Sequence, residues 1–264
     1  MLQRILCCWL LFICSIQAAF EVQNNAAAII AGGGQVSIAP EGSNPAALVN
    51  NRGFAGSLNY SNLYGIKNLR LWNCNFFYTT RRQSGYALRL HALGNPIYQE
   101  KTLSLACGQL ILPLIALGIS VNYYDLTIAD YRHTSALGFN CGAKFFPDTV
   151  LSFGLYFENV NAPKICAGQE SLPQVFAFGW RWQPIRRGEL SGELYKDTQR
   201  PFTFRSGVRI EIIRGCYLLT GIQLNPDRLA GGLEINWRKI RIALVVQHHP
   251  TLPYTFYYGC GINL

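Results

Sequence analysis

Charge is what this sequence has least of. Asp, Glu, Lys and Arg make up 14% of its 264 residues, where an ordinary soluble domain carries roughly 25%. Such a chain coats a water-facing globule poorly. It also lacks the abundance of Ala, Glu, Lys, Leu and Arg that a coiled coil needs. Disorder is excluded from the other side, because hydrophobic residues reach 50% and aromatics 13%, and disordered chains are poor in both. Catalytic signatures are missing as well. There is no GxSxG, Walker-type or GxGxxG pattern, and Gly32-Gly33-Gly34 is not followed by the helix that would make it a phosphate cradle. His91, His133 and the His248-His249 pair show no metal-ligand spacing, and neighbours on a strand point to opposite faces. No catalytic residue, metal site or cofactor is expected, and the chain is not read as an enzyme.

Its N-terminus holds a different signal. Arg4 precedes an uncharged, mostly apolar run from Ile5 to Ile16, and Gln17-Ala18-Ala19 follows. That order reads as a secretory signal peptide over residues 1–19. A lipoprotein reading at Cys14 is disfavoured by the bulky Ile13 before it. Of nine cysteines, Cys74, Cys107, Cys141, Cys166, Cys216 and Cys260 lie beyond this leader, widely scattered and with no CxxC. Most sit in strand-like apolar runs, where Cys behaves as a small hydrophobe, so free thiols that are buried or face lipid are expected.

Beyond the leader the dominant pattern has a period of two. In 202–212, Phe202, Phe204, Val208, Ile210 and Ile212 share one face, while Thr203, Arg205, Gly207, Arg209 and Glu211 share the other. In 240–247, Ile240, Ile242, Leu244 and Val246 oppose Arg241, Ala243, Val245 and Gln247. About fourteen such segments follow one another from residue 53 to residue 264. Each is near the ten-residue length of a tilted membrane-spanning strand. Turn signals separate them, among them Pro147-Asp148, Arg214-Gly215, Asn225-Pro226-Asp227 and Arg238-Lys239. If the N-terminus lies in the periplasm, the even-numbered connections are short, and the Asp125–His133 and Asn159–Pro173 stretches are longer outer loops, as in outer-membrane barrels. The fold class is therefore all-β: a transmembrane, antiparallel up-and-down β-barrel over 53–264.

Two segments invite other readings. Thr102 to Tyr124 contains no charge and is long enough for a spanning helix. Pro113 divides it, however, and each half alternates, so it reads as a hairpin. Strands of this length and a charge content this low also disfavour a soluble sandwich. Glu189 and Glu193, on one face of a strand, resemble an acid–base pair. A turn pivoting near Gln199 gives a plainer account. It sets Glu193 opposite Arg205, Glu189 opposite Arg209 and Arg187 opposite Glu211, three cross-strand charge pairs from one register. Glu189, Glu193, Arg205, Arg209, Glu211 and Glu234 are expected as lumen-facing charges. Arg81-Arg82, Arg186-Arg187 and Arg238-Lys239 fall at separate turns rather than on one basic face, which excludes a nucleic-acid partner and suits lipid headgroups or solvated turns. Trp180, Trp182, Trp237, Tyr254, Phe256 and Tyr258 are read as interfacial girdles.

Residues 20–52 precede the first strand. Ala26 to Gly34 is small and Gly-rich, and Gln35-Val36-Ser37-Ile38-Ala39 leads on to Asn44-Pro45-Ala46. This resembles the N-terminal stretch of the long-chain fatty-acid-transporter (FadL) superfamily and its PorV/PorQ relatives, in which an Asn-Pro-Ala motif precedes the first strand. The resemblance implies 14 strands, an outer-membrane location in a diderm bacterium, and a lumenal hatch containing Asn44, Pro45 and Ala46. The outer loops here are smaller than in the fatty-acid transporters. Physics alone also favours a plug, because a 14-stranded wall encloses more space than its own side chains fill. The expected function is a passive channel or transporter for a small solute, with hydrophobic ones among the candidates. The alternative is a PorV-like scaffold or shuttle of a protein secretion system, and a barrel-borne lipid enzyme is a third class. Expected partners are the bilayer, lipopolysaccharide, the solute and, in the alternative, secretion-system proteins.

Overall fold

A computed structural model describes residues 19–20, 27–31, 35–39, 41–50, 53–130, 132–166 and 170–264. The leader, apart from Ala19, and Gly32-Gly33-Gly34 lie outside the described residues. Among the described residues two short helical pieces come first, α1 (Ala27–Ala31) and a 3-10 turn over Pro45–Asn50. Sixteen strands follow: β1 (Gly53–Asn62), β2 (Arg70–Thr79), β3 (Ser84–Gly94), β4 (Tyr98–Leu112), β5 (Ile115–Ile128), β6 (Arg132–Phe145), β7 (Leu151–Glu158), the two-residue strands β8 (Lys164–Ile165) and β9 (Glu170–Ser171), then β10 (Val175–Ile185), β11 (Gly188–Asp197), β12 (Thr203–Ile213), β13 (Cys216–Leu224), β14 (Arg228–Trp237), β15 (Ile240–His248) and β16 (Thr255–Asn263). All but β8 and β9 form one closed antiparallel barrel of 14 strands in chain order, sealed by β1 against β16.

The alternation explains the closure. On β2, Trp72, Phe76 and Tyr78 are exposed, whereas Leu71, Asn73, Asn75, Phe77 and Thr79 are buried. The same parity runs around the wall and gives an apolar exterior and an interior of small, polar and charged side chains. Inside-out patterning of this kind is stable only in lipid. Ten residues of strand extend about 34 Å, and a tilt of about 40° brings that close to the roughly 25 Å apolar band of an outer-membrane barrel. Cys74, Cys107, Cys141, Cys216 and Cys260 are free thiols on the exterior parity, paired with such residues as Leu58, Ile119, Ile235 and Ile242. At the outer end of the seam Tyr60 lies 4.4 Å from Trp72 and 6.4 Å from Tyr258, ring centroid to centroid. That is one arc of an aromatic girdle.

Thr102 to Tyr124 is a hairpin, with Thr102 opposite Tyr124 and Cys107 opposite Ile119. One connection differs from expectation. Asp125–His133 is not a long outer loop, because β5 continues to Ile128 and β6 resumes at Arg132. The charges that suggested a loop are absorbed in the ladder, where Asp125 Oδ2 and His133 Nε2 meet at 2.6 Å across the pair. Buried Leu126 keeps the inward alternation going. The long outer connection is 159–174, which contains β8 and β9. Connections at the opposite end are short, and by this asymmetry that end faces the periplasm.

Candidate functional site

Residues 35–39 and 41–50 lie inside the barrel, and their position is set by wall glycines. Gly85, Gly108, Gly118 and Gly142 stand directly opposite one another across β3, β4, β5 and β6. Gly154 and Gly179 continue the stripe across β7 and β10, two residues out of step. A Cβ at Gly142 would stand 2.0 Å from Asn44 Oδ1, at Gly108 2.2 Å from the Pro45 carbonyl oxygen, and at Gly118 2.5 Å from Ala46 N. At Gly154 and Gly179 it would stand 2.3 Å from Ser37 O and Ser37 Oγ respectively. Real Cβ atoms do not approach this closely, so the segment rests on bare backbone across six strands. Seen in sequence, each glycine was one small residue among many; aligning the hairpins on their turns would have brought the first four together.

Asn44 organises the middle of the seat. It is fully buried, and its Nδ2 donates to Ser37 O at 2.7 Å, Leu155 O at 3.1 Å and Ala143 O at 3.2 Å. Its Oδ1 accepts from Ala46 N at 2.9 Å. A single amide thus ties the segment to itself and to two strands. Pro45 and Ala46 begin the 3-10 turn and are also buried. Leu48 then packs among Phe77, Ala87 and Ala106, while Thr79 Oγ1 donates to its carbonyl at 2.8 Å.

Charged groups hold the flanks. Glu193, fully buried on β11, accepts Ser37 N at 2.7 Å, Ser37 Oγ at 2.5 Å, Val36 N at 3.2 Å and Arg205 Nη1 at 3.2 Å. Lys144 Nζ donates to Ile38 O at 2.9 Å, Gln35 Nε2 donates to Ser191 Oγ, and Arg241 pairs with Glu41. Arg89, also buried, reaches toward the Ser43 carbonyl at 3.5 Å and lies 5.9 Å from the centre of the Phe77 ring.

The expected charge pairs are close in register but not all in contact. Glu193 faces Arg205 and Glu189 faces Arg209. Only the first of these pairs bonds. Glu189 turns to Arg181 on β10 at 2.5 Å, and Arg209 turns to Glu234 on β14 at 2.7 Å. Glu211 lies 3.8 Å from Arg187 and accepts Gly215 N at 2.8 Å. A lumen residue has a neighbour on each side, and a register read from one turn pairs it with only one of them. Arg209 also stacks on Tyr217, with its Cζ 3.5 Å from the ring centre.

The segment divides the lumen chemically. Toward the periplasm lies a cavity of about 470 Å³ lined by Ile29, Ile38 and Val208 together with the Arg181–Glu189, Arg209–Glu234 and Arg241–Glu41 pairs. Toward the outer end, Phe20 is 1% exposed within a cluster of Tyr124, Leu126, Ile165 and Leu172. Its ring meets Tyr124 edge to face at 5.0 Å. Nothing in the residue pattern had marked this cluster, because its members come from the N-terminus, β5 and the 159–174 connection. On the opposite side α1 packs Ala31 against Leu219, Val245 and Tyr257. Among the described residues no group of His, Cys, Asp and Glu has the arrangement of a metal site.

No family model and no curated protein matches the sequence. The fold does match solved structures. The Ralstonia pickettii toluene transporter TbuX superposes with a TM-score of 0.72 at 12% identity, covering 93% of this chain and 100% of that one. The CymD monoaromatic hydrocarbon channel gives 0.68 at 9% identity, over 93% and 99%. A Pseudomonas aeruginosa FadL homologue gives 0.65 at 10% identity, over 92% and 99%. The architecture of this chain is therefore that of a FadL-type outer-membrane barrel.

Proposed function

We propose that this chain is a passive outer-membrane conduit for a small hydrophobic solute, closed by residues 20–52 acting as a plug. The observation that carries the reading is the seat of Gln35–Asn50 on the glycine stripe. A wall that gives up side chains on six adjacent strands has made room for one particular insert. Asn44, Pro45 and Ala46 are the core of that plug, as the FadL resemblance implied. The fold neighbours described as carrying toluene and monoaromatic hydrocarbons support a hydrophobic solute, and so does the aromatic and aliphatic cluster around Phe20 on the outer side. Glu189, Glu193, Arg205, Arg209, Glu211 and Glu234 set the electrostatics of the passage, mostly as internally neutralised pairs. The conduit is not an enzyme in this reading.

The test is planar-bilayer conductance of the refolded mature chain, with and without residues 20–50, alongside toluene entry into vesicles. Silence from the intact chain and discrete openings after deletion support a plugged conduit. Silence from both, given a folded barrel, refutes it and returns attention to a scaffold in a secretion system.

A further inference from the structure

The two ends of the barrel differ in charge. The periplasmic turns carry Arg81, Arg82, Arg186, Arg187, Arg214, Arg238 and Lys239, all exposed, against one acid, Asp148. Asp148 is engaged in its own turn, accepting Val150 N and Leu151 N at 2.7 Å each. The outer connections balance: Lys67, Lys164 and Arg200 are matched in number by Asp130, Glu170 and Asp227. Counted over the connections alone, the periplasmic turns carry a net charge of six positive and the outer connections none, although Arg187 shares one of these charges with Glu211 at the end of β12.

The cations are also grouped around the circumference. In barrel order they occupy the β10–β11, β12–β13, β14–β15 and β2–β3 turns, an arc of ten strands through the β16–β1 seam. The remaining turns, β4–β5 and β6–β7, carry Pro113-Leu114 and Phe146-Pro147 instead. Most of the basic turns are two residues long, so their side chains stay at the edge of the wall. Ile185, Ile213 and Trp237, immediately before Arg186, Arg214 and Arg238, are 63%, 70% and 66% exposed on the lipid-facing side. Arg238 lies 5.5 Å from the Trp237 ring centre. Arg186, Arg214 and Arg238 thus stand where an apolar belt ends and headgroups begin.

We infer that the periplasmic rim from β10 round to β3 is a binding surface for anionic phospholipid headgroups of the inner leaflet. An acidic protein would need a surface projecting into the periplasm, whereas these guanidinium groups lie at bilayer level beside exposed Ile and Trp. Arginine suits the task, because its planar fork binds phosphate oxygens in pairs. The inference rests on the turns and the belt alone and does not depend on what the lumen carries.

The experiment uses the full mature chain in phosphatidylcholine vesicles, with spin-labelled phosphatidylglycerol or phosphatidylcholine as the probe. At low salt the phosphatidylglycerol should associate several-fold more strongly. Substituting Arg186→Gln, Arg214→Gln, Arg238→Gln and Lys239→Gln together should bring the ratio near one. Lys67→Gln, Lys164→Gln and Arg200→Gln, on the outer side, should leave it unchanged. Should the turn variant not refold, salt decides with the native chain, because about 1 M NaCl reduces the screening length to roughly 3 Å and should abolish the preference. Equal association of both lipids, a preference indifferent to the turns and to salt, or loss through the outer substitutions alone would overturn the inference. So would capture of an acidic soluble protein by the turns without any lipid preference.

Discussion

Removing the Glu193 carboxylate should open the barrel without unfolding it. In the Glu193→Ala chain, Ser37 N, Ser37 Oγ and Val36 N lose the group that accepts them, and Arg205 loses its ion-pair partner. A hydrogen bond to a charged group contributes about 1.5–3 kcal/mol net. The Val36 contact is long at 3.2 Å and the two Ser37 donors share one oxygen, so we count two bonds at the lower bound, about 3 kcal/mol. That shifts the ratio of seated to unseated segment by roughly a hundredfold. Arg205 keeps its place over Tyr195, with Cζ 3.9 Å from the ring centre, and the 14-strand ladder does not depend on Glu193. The assay is single-channel recording of Glu193→Ala beside the native chain, with heat-modifiable gel mobility to establish that both barrels are closed. The native chain should be silent and the variant should show frequent brief openings. A variant as silent as the native chain, folded and inserted to the same extent, would refute the idea that this carboxylate holds the segment in place.

Three other outcomes follow from the same structure. Gly142→Val should displace Asn44, since even a Cβ there stands 2.0 Å from Asn44 Oδ1; openings should resemble those of Glu193→Ala, whereas Gly231→Val, where a Cβ lies 3.9 Å from its nearest neighbour, should remain closed. Cys107 and Cys260, exposed on the exterior parity, should react in vesicles with a membrane-permeant lipophilic maleimide and not with a charged one; labelling by the charged reagent would place them in water. In the outer connection 249–254, His249 Nδ1 accepts Thr251 N and Leu252 N at 3.2 Å each, and burial, then the nearby Arg228 and His248 charges, hold the imidazole below its ordinary pKa. Neutral His249 is favoured in the fold, so its contribution is present above the ordinary imidazole pKa and is lost as pH falls through the lowered value. Hydrogen-exchange protection of Thr251 and Leu252 should drop at acidic pH, and unchanged protection would remove His249 from that role.

The wall was legible in the sequence because lipid outside and a crowded polar lumen inside force strict alternation. Fourteen strands and the Thr102–Tyr124 hairpin follow from that pattern alone. The extension of β5 and β6 past Asp125 and His133 was not legible, since polar residues at a strand end look the same as those in a loop until their cross-strand partner is known. The register that brought Glu193 to Arg205 was readable from one turn; the choice of Glu234 by Arg209 required the position of β14 as well. The seat was hidden for a similar reason. Gly85 and Gly179 are 94 residues apart in the chain, and nothing local marks them as parts of one surface. Asn44 entered through a resemblance, and only the carbonyls of Ala143 and Leu155 explain why an amide belongs at that position.

Because the seat is backbone shared across β3 to β10, no single strand presents it. It comes into existence only when those neighbours have paired, so its contacts form after theirs. Gln35–Asn50 nevertheless leaves the export machinery ahead of every strand it rests on. Order of synthesis and order of docking are therefore reversed. A segment made before β3 must wait for β10 before its place exists, and the assembling sheet must form around a tail that has nowhere yet to sit.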